Sequence, residues 1–115
     1  MDAIVRSDVL GCAIDRLDME QTVDRIDGVI ASGGFATHMA MNVAKLVTLR
    51  DDPELRAIVA GCSIVSPDGQ GIVWASRLLR DPLPERVAGI DLMDALMARA
   101  AERGWRVFVL GARDE

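Results

Sequence analysis

The sequence predicts an α/β fold, a largely parallel sheet flanked by helices, on three observations. Short apolar runs alternate with segments of helical periodicity along the 115 residues, the order that βαβ units produce. The apolar half of the composition is almost wholly aliphatic, since hydrophobic residues make up 50% of the chain, aromatic residues only 3%, and Tyr is absent. Aliphatic interiors of this kind suit helices packed on a buried parallel sheet. Finally, three strand-like runs end in polar or Gly residues, at His38 to Asn42, at Asp68-Gly69 and at Gly111. Ligands of open α/β sheets bind beyond the carboxyl ends of strands.

The elements follow in order. Val9 to Ile14 reads as a short strand, which can pair with Ala3 to Arg6 as an N-terminal hairpin. Asp18 with Gln21 three residues later forms a capping-box pattern, so a helix is expected over Met19 to Ala31, with Val23, Ile26 and Ile30 on one face. Ser32-Gly33-Gly34 ends it. Phe35 to Met41 is an apolar run between a Gly pair and Asn42, and predicts a buried strand. Val43 to Leu49 returns to helical periodicity. Pro53 starts a further short helix that ends near Gly61, because Pro is well tolerated in a first helical turn. Cys62 to Ser66 predicts the next strand and Gln70 to Leu79 the next helix. After the loop Asp81-Pro82-Leu83-Pro84, a helix runs from Gly89 to Arg103 and Gly104 caps it. Trp105 to Leu110 predicts a last strand, with Gly111 directly after it. A βαβ architecture continues past such a strand, so residues 1–115 are expected to be one incomplete domain, either truncated or completed by a partner.

Composition narrows the function classes. The formal net charge of −5 argues against nucleic acid as the main partner, because neutralising phosphates takes a basic face. Cys12 and Cys62 are far apart and His38 is the only His, so no metal site is expected; both thiols are expected to be buried and free. No signal peptide or membrane-length apolar run is visible, which makes the cytoplasm the default location.

Ser66-Pro67-Asp68-Gly69-Gln70-Gly71 is the sharpest local feature. A strand delivers Asp68 to its carboxyl end, and Gly69 allows a tight turn and close approach of a ligand. Asp68 is either a general base or sugar-binding carboxylate, or the N-cap of the following helix. Arg86 either pairs with a diphosphate or is a solvated surface side chain. Asp91 is ambiguous for a similar reason, since Asp is common in any first helical turn. His38 is a substrate-binding or catalytic side chain, or a hydrogen-bonded, partly buried one. Asn42 is an N-cap, a ligand contact, or both. Gly111 is similar to the start of a phosphate-binding turn, although the full Gly-x-Gly-x-x-Gly pattern is absent. That absence counts against a dinucleotide oxidoreductase.

Several of these pieces occur together in one family. Asn42-Val43-Ala44-Lys45-Leu46, Arg50-Asp51-Asp52-Pro53-Glu54-Leu55, Pro67 to Ala75, Pro82 to Leu92 and Val107 to Gly111 resemble the WecG/TagA/CpsF glycosyltransferases. The resemblance implies a Rossmann-like fold and a metal-independent, cofactor-free hexosyltransferase. Its donor would be a UDP-sugar, typically of N-acetylmannosamine, and its acceptor a polyprenyl-diphosphate-linked sugar in bacterial exopolysaccharide, teichoic acid or surface-antigen synthesis. On this resemblance Asp68 is the catalytic base, Arg86 lies near the leaving diphosphate and Asn42 near the sugar. Ala40 stands where the family has Thr, and His38 lies on the same strand face. The family's members are longer. The resemblance therefore implies membrane contact through a C-terminal segment missing here, at the inner face of the cell membrane, and open apolar surface that favours a homo-oligomer. The alternative is a catalytically inactive remnant or regulatory nucleotide-binding domain.

Overall fold

The computed structural model describes residues 5–111. Nine elements follow one another along these residues: β1 (Arg6–Val9), β2 (Cys12–Asp15), α1 (Met19–Ala31), β3 (His38–Met41), α2 (Val43–Leu49), α3 (Pro53–Ala60), β4 (Ile64–Pro67), α4 (Gln70–Leu78) and α5 (Gly89–Arg103). α1, α2 and α3 start where side-chain caps satisfy free backbone N–H groups. Asp18 accepts from Gln21 N at 2.8 Å while Gln21 Oε1 accepts from Asp18 N at 3.0 Å. Asn42 Oδ1 accepts from Lys45 N at 2.8 Å and Asp52 Oδ1 from Leu55 N at 3.0 Å. α5 stops at Gly104, which takes the left-handed conformation at φ 71°.

The sheet is smaller than expected. Two two-stranded sheets form among the described residues, an antiparallel β1–β2 hairpin and a parallel β3–β4 pair in the register His38 to Ile64 through Met41 to Pro67. The expected Val9–Ile14 strand is in fact two strands, because the chain reverses at Leu10 and Gly11, both at positive φ (52° and 85°). Successive residues of that kind make a tight hairpin turn matching strand twist. The expected partner residues Ala3 and Ile4 lie outside the described residues. The run from Phe35 pairs only from His38 onward, and Phe35 itself is 89% exposed. The strand expected at Cys62 starts instead at Ile64 and reaches Pro67.

The strand expected over Trp105 to Leu110 does not form. This segment joins no ladder, and Phe108 and Leu110 are 86% and 89% exposed. Apolar content marks what can be buried, whereas strand formation also needs a neighbour with free backbone groups in register. The outer edge of β4 is largely taken: Val65 N donates to the Asp15 carboxylate at 2.8 Å, Pro67 has no N–H, and Pro67 O accepts from Val87 N at 2.8 Å.

Helices lie on both faces of the parallel pair, as strand alternation requires. Met41 and Val65 belong to one core with Val9, Cys12 and Ile14 of the hairpin, Leu46 and Leu49 of α2, Val59 of α3 and Ile72 of α4. One residue out of step, His38 and Ile64 face a cleft of about 340 Å³ against Ile26 of α1 and Leu96 of α5. α1 and α5 pack through Val23, Val87 and Leu92, and Arg99 ties them with Nη1 2.6 Å from Asp27 Oδ2. Cys12 is buried as expected, but Cys62 is only half-buried, because its Sγ turns outward to the Ile58 carbonyl.

The hairpin is fastened by side chains in place of a ladder. Asp15 is 1% exposed and accepts from Arg6 Nε at 2.6 Å as well as from Val65 N. Arg6 Nη2 then reaches Ser63 O at 2.9 Å.

Candidate functional site

The carboxyl ends of β3 and β4 meet the starts of three helices. Asp68, the first residue past β4, donates its N–H to Met41 O at 2.8 Å, which holds it level with the end of β3. Gly69 then takes φ 123°, a conformation open to Gly and costly to other residues, and becomes the N-cap of α4. No side chain caps α4, so the capping role considered for Asp68 does not hold. Its carboxylate makes no hydrogen bond or ion pair among the described residues. The start of α5 passes close to it: a Cβ placed on Gly89, the first residue of α5, would stand 3.4 Å from Asp68 Oδ2 and 3.9 Å from Ala40 Cβ. Glycine at position 89 lets α5 start this close to the carboxylate. Asp68 is half-buried, held by its backbone with its side chain uncommitted.

Asn42 ends β3 and caps α2 through Oδ1, which leaves its amide nitrogen as a donor. Lys45, three residues on, folds back so that Nζ donates to Ala40 O at 2.8 Å and lies 3.9 Å from Met39 Sδ. The sequence reading did not single out Lys45 or Gly89. Lys45 left one signal, being the only lysine in the chain. Gly89 left none, because its relation to Asp68 exists only after the chain folds.

His38 sits at the other end of β3. Its Nε2 is 2.8 Å from the Oγ of the buried Ser66, so it is a hydrogen-bonded strand residue directed across to β4. Burial lowers its pKa below the ordinary 6.5; the carboxylates of Asp15 and Asp68 pull it back up, and the Lys45 charge pushes it down. The folded pKa is the lower one, so the unfolded chain binds the proton more readily. His38 thus contributes a loss of stability as pH falls below about 6.5 toward the folded pKa. Thermal melts should show a smaller pH dependence for His38→Gln than for wild type between about pH 7.5 and about pH 5.5. Identical dependence in the two would contradict this.

Arg86 and Asp91 come together with each other: Nη2 lies 3.9 Å from Asp91 Oδ2, and both are exposed. This arrangement sets the Arg86 side chain on the surface beside the start of α5, and such exposed pairs are weak and easily exchanged. Val87 N–H on Pro67 O keeps this segment alongside β4. Gly111 is exposed and follows no strand, so it is not brought to the other residues as the last strand would have brought it. Among the described residues no group of three or more His, Cys, Asp or Glu side chains is placed to hold a metal ion, and no helix is long and apolar enough to cross a membrane.

Asp68 thus stands just past a parallel strand, with no side-chain partner among the described residues. Residues 7–115 match the glycosyl transferase WecG/TagA/CpsF family. That match covers most of the chain, and the chain belongs to this family. It is thereby placed among glycosyltransferases, which join a sugar donor to an acceptor.

Proposed function

We propose that the protein transfers a hexose, N-acetylmannosamine or a related sugar, from a UDP-sugar to a polyprenyl-diphosphate-linked acceptor sugar. The setting is bacterial exopolysaccharide, teichoic acid or surface-antigen synthesis at the inner face of the cell membrane. Family membership supports the reaction class. The parallel strand pair with helices on both faces supports a Rossmann-like reading of the fold.

The observation that carries the reading is Asp68, a carboxylate past β4 without a partner among the described residues, beside Gly89 at the start of α5. In the proposed step an Asp68 oxygen takes the proton from the acceptor hydroxyl as the hydroxyl oxygen bonds to the anomeric carbon. The bond from that carbon to the diphosphate oxygen breaks, and UDP departs with the electron pair. General bases of this kind contribute about 10²–10⁴-fold to rate. Arg86 can leave Asp91 for the departing diphosphate, because their exposed pair is weak, and the Asn42 amide can hold a sugar hydroxyl. His38, turned to Ser66, is not needed as the base.

A panel of UDP-, GDP- and dTDP-sugars, incubated with the full chain and a polyprenyl-diphosphate sugar, tests the reading. Acceptor-dependent consumption of UDP-sugars alone is expected. Consumption of another nucleotide's sugars, or none with any UDP-sugar, would overturn the donor assignment.

A further inference from the structure

We infer that Lys45 is a binding residue for the donor, its ammonium taking a diphosphate oxygen at the outer edge of β3. This rests on the reading of the donor as a nucleoside-diphosphate sugar and adds a contact to it.

The first observation is a charge without a counterion. Lys45 is half-buried, and Nζ touches only the Ala40 carbonyl and the Met39 thioether. No carboxylate lies within ion-pair distance of it among the described residues. A partly buried charge without a partner of opposite sign is unfavourable. Lys45 also occupies the first turn of α2, where the helix dipole opposes a cation. Two unfavourable terms at one residue are relieved together by an anion. An ammonium carries three protons; Ala40 O and Met39 Sδ take two and one remains for a phosphate oxygen.

The second observation is position. The Thr37 and Met41 carbonyls face β4, where they accept from Ile64 N and Asp68 N. By strand alternation the Ala40 carbonyl points to the opposite edge, which pairs with no strand among the described residues. Lys45 therefore stands on one side of the end of β3 and Asp68 on the other. The free edge of β3 runs to the carboxyl end of the pair, beyond which open α/β sheets hold their ligands. A cation there offsets the charge that the diphosphate gains as the sugar leaves.

The competing role is structural, since lysines also blunt open sheet edges. Binding of UDP and of uridine separates the two. Titrating wild type, Lys45→Met and Lys45→Arg with each should show Lys45→Met weakening UDP by at least about tenfold with uridine affinity unchanged, and Lys45→Arg retaining part of the UDP affinity. Equal UDP affinity in Lys45→Met, or equal losses for UDP and uridine, would overturn the inference alone. A wild-type chain that binds no UDP would overturn the nucleotide reading and this inference with it. Amine-selective acylation gives a readout without substitution, because Lys45 carries the only side-chain amine in the sequence. UDP, but not uridine, should slow its modification, and equal rates with both would count against phosphate contact.

Discussion

Asp68→Asn should lower the rate of sugar transfer by about a hundredfold or more, the scale of a lost general base, while leaving the melting temperature close to that of wild type. The two halves of this expectation come from the same geometry. Asp68 is held by its own N–H on Met41 O, a bond that Asn keeps. The carboxylate makes no bond among the described residues that Asn would forfeit, and α4 begins without a side-chain cap. The substitution removes the proton acceptor and little else. Initial rates with a UDP-sugar and lipid acceptor, set beside a thermal melt of the same preparation, check both halves. A large loss of melting temperature would return Asp68 to a structural role.

The largest effect on stability is expected at Asp15, far from that chemistry in sequence. Asp15→Ala should cost about 2–3 kcal/mol, a fall of roughly 10 °C in melting temperature for a chain of this size. Its carboxylate joins the hairpin to β4 through Val65 N at 2.8 Å and holds Arg6 Nε at 2.6 Å. Alanine leaves the Val65 N–H buried without an acceptor and frees the guanidinium that reaches Ser63 O. Arg6 is partly exposed and can be rehydrated, which keeps the loss below that of a fully buried pair. Asp15→Asn retains an acceptor for Val65 and should lose less. Melting temperatures that do not change in Asp15→Ala would show that apolar packing alone seats the hairpin.

The helices were the most legible part of the sequence because their starts are written locally. Asp18 with Gln21, Asn42, and Asp52 with Pro53 each place an acceptor or a fixed φ within four residues of the N–H groups concerned, and Gly104 marks the end of α5 in the same way. The strands were less legible because pairing is a relation between distant segments. Phe35 to Thr37 and Trp105 to Leu110 have strand-like composition but no ladder. Leu10 hid a hairpin turn, since Leu is not a residue that advertises positive φ. The site divides along the same line. Asp68, Gly69 and Asn42 could be read from a strand meeting a helix, and the structure brings them to one end of the parallel pair. Arg86 and Asp91 were read as separate candidates and meet each other. Lys45, Gly89 and Asp15 matter through contacts that no local pattern encodes: Gly89 through its distance from Asp68, and Asp15 through a backbone N–H fifty residues away.

Chemical rescue tests the central claim, that the Asp68 carboxylate takes the acceptor proton, most directly. Asp68→Ala removes the carboxylate beside Gly89, and formate can take its place as a small base. With UDP affinity measured on the same samples, Asp68→Ala is expected to bind UDP like wild type, transfer sugar slowly, and recover rate as formate is added. Transfer by Asp68→Ala at the wild-type rate without formate, or a loss that formate does not relieve at any concentration, would contradict it.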